Sequence, residues 1–509
     1  MSRGAPSMSL LDQPEAQALL NDAVITPEAV AGCADRLTGF LQRYLPHFYR
    51  SEQRHNATLV IRGLLSGLER KTCEPIAIEA GLPRKPIQFF VGAGKWDDEA
   101  VMTELRTHVR EALAEPDGVV VIDPSAFPKK GTESCGVGRQ WCGRLGKVDN
   151  CQVGVFLAYA ARAGYAPLDR RLYLPEDWAD DKDRRAKCHV PAGIKFQEKW
   201  QIALDLLDRS LAGLPHGWIT GDDDFGRASE FRAKLRLRRG RYILDVPCHT
   251  TVRDLERRRP PRKRAGVGRK REVPFQRADV WAKGQPESRG TRLTVRGGEK
   301  GPLEVDARSV RVRAKQDGRI GPEERLVVIR PVGEARIDYA LTNAAAEVPL
   351  AELVGVQRQR HRIEEVFEAG NGEAGLDHDE VRGGVGWHHH RTLALLALWF
   401  LCLERRRLGG ENPGDHGVAD AAGVHSVAPA PGPDPRGDRG GGHTRALGER
   451  GIADLPLAQG DGEVPATAIA KRYELSSCAI LESVTVEVGL GSVFSSRVRA
   501  SRITSSSRA

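Results

Sequence analysis

The chain has 509 residues, a formal net charge of +9 and a pI near 9.1. That length leaves room for two or more domains with ample core, and the basic balance points to a polyanionic partner, since Lys and Arg gain affinity by displacing counterions from phosphates. Nine scattered cysteines, odd in number and never spaced C-x-x-C, argue against a zinc site and a secreted disulfide framework. No basic-then-apolar leader opens the chain, and the longest apolar stretch, Leu393–Leu403, is far short of the roughly 20 residues a membrane span needs, so a soluble cytoplasmic protein is expected.

Residues 1–110 read as helical, with apolar residues at three- and four-residue spacing in Glu28–Tyr44 and Ala57–Glu69. A short helix at Pro75–Ala80, the Gly81-Leu82-Pro83 break and a helix at Lys85–Val91 led by Arg84 and Lys85 have the form of a helix-turn-helix, which would make this a DNA-binding domain. An ordinary helical hairpin is the plainer reading. Residues 115–250 alternate strand and helix: strands are predicted at 118–123, 134–139, 151–160, 217–222 and 241–246, and helices at 196–213 and 226–238.

The stretch 251–345 begins with a basic arm. Arg253–Glu272 holds ten Lys/Arg against three acids around Pro260-Pro261, so no core forms there. Arg257, Arg258, Arg259, Arg262, Lys263 and Arg264 read as phosphate contacts, against the alternative of a solvated linker. Strands at 305–315, 326–330 and 337–341 then make a β-rich insertion. Helices resume at 350–370 and 391–406, within 346–408. From 411 to 450, 14 of 40 residues are Gly or Pro and no apolar period survives. Residues 409–509 are therefore expected to be a low-order tail, of the kind a shifted reading frame would produce.

Three carboxylates stand out. Asp123 ends the continuously apolar run VVVI and is followed by Pro124, which predicts that the strand stops there. Lys129 and Lys130 follow, placed to hold a phosphate backbone. Asp222 ends a second strand in WITGDDDFG, with Asp223 and Asp224 as rivals for the same role. Glu364, in HRIEEVFEAG, lies beside the Ile363/Val366/Phe367 stripe of a helix, and Arg360 is four residues before it on the same face. A buried acid at a strand end is costly unless a cation meets it. Two such acids with a third on a helix would form an oxygen-ligand site for a hard divalent metal, the chemistry of phosphodiester cutting. His388-His389-His390 reads as a polar helix start rather than a metal site, because consecutive helical residues point in different directions.

The segments VVVIDPSAFPKKG, VGRQWCGRLGKVDNCQVGVFLAY, WITGDDDFG and HRIEEVFEAGNGEAGLDHDEVRGGVGWHHHRTLALLALWFL, in this order, resemble bacterial insertion-sequence transposases of the DDE superfamily, over roughly Glu28 to Arg407. The similarity is to the branch marked by a Tyr–Arg–Glu–Lys signature. The resemblance implies an α/β fold, a ribonuclease-H-like mixed sheet flanked by helices, with an N-terminal helical domain and a β-rich insertion before the Glu. It implies Asp123, Asp222 and Glu364 as catalytic, metal-binding residues, Arg360 as the signature Arg on DNA, and two Mg²⁺ ions for which Mn²⁺ substitutes. It further implies double-stranded DNA as partner (the element's terminal repeats and a target), a homodimer in the active complex, and residence on the nucleoid when bound. Two signature positions depart: Gln357 stands at the Tyr and Asn371 at the Lys, where Asn cannot supply the charge. A catalytically impaired DNA-binding remnant is therefore the alternative. A hydrolase of small phosphorylated substrates is a third reading, opposed by the basic arm.

Overall fold

The computed structural model describes residues 32–258, 272–286, 290–296, 303–316 and 318–408. It opens with the helices α1 (Cys33–Tyr44), α2 (Ser51–Leu64), α3 (Cys73–Glu79), α4 (Arg84–Gly92) and α5 (Asp98–Leu113). The Asp97 carboxylate caps α5 by accepting from the Glu99 and Ala100 amides at 3.0 and 3.1 Å, and the helix buries Val101, Leu105, Val109 and Leu113 along one stripe. Between α3 and α4 the chain turns at Gly81 (φ 65°), where the Gly81 and Leu82 amides return to the Ile78 and Ala77 carbonyls. The short helices foreseen about this glycine are present, with Arg84 and Lys85 exposed.

A single mixed sheet follows. In chain order its strands are β1 (Val119–Pro128), β2 (Gly138–Cys142), β3 (Lys147–Ala161), β4 (Gly164–Leu172), β5 (Trp218–Gly221), β6 (Tyr242–Asp245), β7 (Thr251–Asp254), β8 (Gln276–Arg277), β9 (Thr291–Arg296), β10 (Leu303–Gln316), β11 (Arg319–Pro331) and β12 (Asp338–Thr342). Spatially they run β2-β3-β1-β5-β6-β12-β11-β10-β7-β8, with β4 also on β3 and β9 on β10. Only the β1–β5 and β5–β6 pairs are parallel among the described strands. Around the sheet lie α6 (Glu176–Asp180), α7 (Lys182–Lys187), α8 (Lys199–Ser210), α9 (Asp223–Gly226), α10 (Ser229–Leu237), α11 (Ala278–Lys283), α12 (Leu350–Gln359), α13 (His361–Glu373) and α14 (Gly384–Arg407). This is the α/β architecture expected, a large mixed sheet flanked by helices.

Several local expectations need correction. β1 does not end at Asp123: Pro124 continues the antiparallel ladder opposite Val155 as far as Pro128. The parallel neighbour β5 has its last pair at Ile122/Gly221, so Pro124 is paired on one side only, where a strand proline is tolerated. The strand expected at 134–139 begins at Gly138 instead. β4 was not foreseen at all. The β-rich insertion is no separate sheet, because β12 pairs with β6 and carries the main sheet outward through β11 and β10. It does have its own small core, in which Val252, Trp281, Val312, Leu326 and Leu341 meet. The tail and shifted-frame expectations concern residues outside those described.

The main core runs without a break from α1–α5 through the sheet to α14. α14 is buried nearly all round, as a helix without a polar face must be, and packs on β4, α2, α4, α5 and α13. It starts at Gly384, seven residues before the expected start. The histidines are thus not a polar helix start but lie in its second turn, His388 half-buried and His389 and His390 buried. His389 stacks on Trp96 with ring centroids 3.8 Å apart, and His390 Nε2 lies 2.9 Å from the Gly375 carbonyl. Among the described residues no helix is long and apolar enough to cross a membrane.

Burial, then the charge of Arg391, pushes His390 down to about 4; Lys129 opposes its proton too, while Asp379 favours it. Between pH 6.5 and 4 the unfolded chain takes up a proton that folded His390 refuses. Stability is therefore expected to fall across that window on acidification, by roughly 3 kcal/mol from this residue. The difference in urea midpoint between the wild type and His390→Gln at pH 7, 5.5 and 4.5 reads it, because Asp222 and Asp245, raised to about 7 and about 6, act in the opposite direction over the same window.

Candidate active site

Ile122 of β1 lies opposite Gly221 of β5, and Gly221 lies opposite Leu244 of β6. The next residues in the three parallel strands are Asp123, Asp222 and Asp245. Three carboxylates therefore stand in a row just past the carboxyl ends of the parallel pairings, about 4.8 Å apart by strand spacing, where open α/β sheets place their ligands. Burial, then the charge of Asp222, holds Asp123 well above the usual carboxylate range. Burial, then Asp223, pushes Asp222 up to about 7, and burial alone leads for Asp245, at about 6. Burial leads in all three, and the charge of Arg360 opposes it in each.

The turn out of β5 separates Asp222 from its rivals. Asp222 caps α9, its Oδ1 accepting from the Asp224 amide at 3.1 Å. Asp223 is exposed. Asp224 is taken by Lys199 Nζ at 2.8 Å and by Arg227. α9 then packs so closely on β6 that a Cβ at Gly226 would overlap the Asp245 carbonyl oxygen. Gly226→Ala is accordingly expected to cost about 1–3 kcal/mol, read as a lower urea midpoint, because α9 or β6 must shift.

α12 and α13 face this row. The single helix expected over 350–370 breaks at Arg360, whose amide returns to the Gln357 carbonyl at 3.2 Å in a tightened turn. The break aims Arg360 at the row: its Nε lies 3.1 Å from Asp245 Oδ2 and its Nη1 3.6 Å from Glu364 Oε1. Glu364 is 48% exposed and also engages His361 Nδ1 at 2.7 Å. That bond, then Arg360, holds its carboxyl below the usual range. Glu365 is bound to Arg362 at 3.1 Å. A cleft of about 270 Å³ opens beside Glu364, lined by Arg336, Arg358, Arg360, His361 and Arg362 with Val295 and Leu303 on its apolar wall. Two nitrogens of Arg358, Nε and Nη2, are buried without a hydrogen-bond partner among the described residues.

The structure thus brings Asp123, Asp222 and Arg360 together, with Glu364 joined through Arg360. The three acids do not stand as a ready ligand set: among the described residues no group of three or more His, Cys, Asp or Glu side chains is placed to hold a metal ion. Lys129, read as a phosphate contact, has its Nζ paired with buried Asp379 at 2.9 Å. Lys130 is exposed beside it. Arg257 and Arg258 are exposed beyond β7, at the far end of the sheet from β1, and Arg259, Arg262, Lys263 and Arg264 lie outside the described residues. Gln357 is 3% exposed and turned inward, its Nε2 donating to Asp245 Oδ1 at 2.9 Å. Asn371 keeps an unpartnered buried Oδ1.

Sequence reasoning missed Asp245 and Lys199. The signal for Asp245 was present, since YILD, like VVVID, is a short strand-forming run closed by Asp. Lys199 opens an ordinary amphipathic helix and gave none.

The family profile described as DDE superfamily endonuclease matches residues 43–302, more than half of the chain. The chain belongs to this endonuclease family. The matched stretch carries Asp123, Asp222 and Asp245 and stops before Arg360 and Glu364. The chain is also 28% identical over 199 residues to a protein of Microchaete diplosiphon named "Probable transposase for insertion sequence element IS701". That alignment covers 38% of this chain and 49% of the relative, so the chain spans about half the length of the curated relative it matches.

Proposed function

We propose that this DDE endonuclease is a transposase that cuts DNA at the ends of an insertion sequence and joins the freed 3′-hydroxyl to a target. The observation that carries the reading is the adjacency of Asp123 and Asp222 just past the end of the parallel β1–β5 pairing, faced by Arg360 and Glu364 from the break between α12 and α13. In the first step a water oxygen attacks the phosphorus, the bond to the 3′ oxygen breaks, and a proton ends on that oxygen. In the second, the 3′-hydroxyl oxygen attacks a target phosphorus and displaces the target's own 3′ oxygen. The relative's name and the basic charge support DNA as substrate.

The donor set suits Mg²⁺, or Mn²⁺ in its place: hard carboxylate oxygens, of which Asp222 and Glu364 both disfavour the charge of Asp123. Asp123, Asp222 and Glu364 would hold the metal, with Glu364 leaving His361 to do so. Divalent ions held there would supply activation of the attacking oxygen and charge neutralisation of the leaving one. Arg360 and the arginine-lined cleft hold the strand's phosphates and fix its line of approach. Two element ends must meet in the joining step, which suits a homodimer.

The test is a duplex carrying the element's ends, read from DNA flanking the coding region. The reading expects Mg²⁺-dependent nicks that leave a 3′-hydroxyl at the element's border, lost in EDTA. Tight binding without nicks would favour the remnant reading, which the uncharged Asn371 specifically favours. Neither binding nor cutting would dismiss both.

A further inference from the structure

Asp245 has both carboxylate oxygens committed. Oδ1 accepts from Gln357 Nε2 at 2.9 Å and Oδ2 pairs with Arg360 Nε at 3.1 Å. Gln357 is itself buried on the last turn of α12, and its Oε1 has no hydrogen-bond partner, so its amide serves Asp245 alone among the described residues. A guanidinium is a rigid plane, and fixing Nε to a carboxylate leaves its two Nη groups aimed along one direction. Here one of them, Nη1, faces Glu364 at 3.6 Å. The contacts run without a gap from the strand end through Asp245 and Arg360 to Glu364. Among the described residues, Asp123 and Asp222 have no such committed oxygens toward Arg360, and the one carboxylate oxygen of theirs that is hydrogen-bonded is the Asp222 Oδ1 that caps α9.

We propose that Asp245, braced by Gln357, is the positioning residue for Arg360: it holds the guanidinium plane so that the Nη groups face the scissile phosphate. The proposal rests on the reading of this site as a phosphodiester-cutting centre. It also gives Gln357, at the signature Tyr position, a role as a brace under Arg360.

The test is a double-mutant cycle on the full chain with the element-end duplex and Mg²⁺: Asp245→Asn, Arg360→Gln and the pair, each read for kcat, KM and the dissociation constant of the DNA. Asp245→Asn is expected to lower kcat about 10- to 100-fold with KM nearly unchanged, the size of effect that misplacing one group produces. In the Arg360→Gln background the same change should add less than about twofold, because the group it positions is gone. Multiplying effects, or an unimpaired Asp245→Asn, would overturn the proposal. If Asp245→Asn does not fold, Gln357→Ala removes the brace while keeping the carboxylate, and the same non-additivity with Arg360→Gln is required. A wild-type chain that binds without cutting defeats the catalytic reading only. The cycle is then read on dissociation constants, where additivity defeats the positioning role and non-additivity upholds it. A wild-type chain that does neither overturns both.

Discussion

Asp123→Asn, Asp222→Asn and Glu364→Gln are each expected to reduce DNA cutting by at least about 1,000-fold while leaving the dissociation constant for element-end DNA within about threefold. An amide keeps the shape of the carboxylate but cannot share a divalent ion as an anionic oxygen, so the loss falls on the chemical step and not on binding. The fold should survive all three. Asn caps a helix as well as Asp does, so α9 keeps its start in Asp222→Asn. The stability signs differ among them and provide an internal check. Asp123 and Asp222 are held above the usual carboxylate range by burial and by neighbouring acids, so neutralising either relieves the apo fold near pH 7. Glu364 is held below that range by His361 and Arg360, so its amide should be neutral or slightly destabilising. Kinetics on the duplex, with melting curves taken without divalent ions, read both halves.

The largest loss of stability is expected from Asp379→Ala. Asp379 sits in the turn between α13 and α14, and its carboxylate receives Arg391 Nη2 at 2.7 Å and Lys129 Nζ at 2.9 Å. The side chains of Asp379 and Arg391 are both 0% exposed. Burial works against the charge, but Arg391 and then Lys129 outweigh it and hold the carboxyl down to about 2. Alanine leaves a buried guanidinium and a mostly buried ammonium with no counterion, which costs about 3–5 kcal/mol. Arg391 also lies over the Phe127 ring at 4.0 Å, so the damage reaches the end of β1. Urea unfolding at pH 7 reads it. Lys129→Met should cost less, because Arg391 still meets the carboxylate, and its mildness would separate the structural role of Lys129 from a DNA contact.

How much of this was legible in the chain depends on whether a residue's surroundings are local. The VVVI run announces a strand buried on both faces, because continuous β-branched apolar residues have few other uses, and Val119–Ile122 are all buried. Glu364 and Arg360 were readable as neighbours from their four-residue spacing. β4 was not readable, since GYAPLDRRL looks like a polar loop. Its Asp169 and Arg170 are buried because distant partners meet them: Arg209 and Ser210 from α8 and Arg106 from α5 on Asp169, and Thr392 from α14 with Asp98 from α5 on Arg170. Charge that is buried in pairs looks exposed in sequence. The break at Arg360 has no proline or glycine to announce it, and only Asp245, over a hundred residues away, gives it a purpose.

The central claim is that Asp123, Asp222 and Glu364 converge on shared divalent ions. It is tested most directly by anomalous diffraction from crystals of the chain with element-end DNA and Mn²⁺. The account requires manganese peaks about 2.1 Å from oxygens of all three side chains, with Glu364 released from His361. Peaks that leave Glu364 on His361, or no peak beside Asp123 and Asp222, would contradict it.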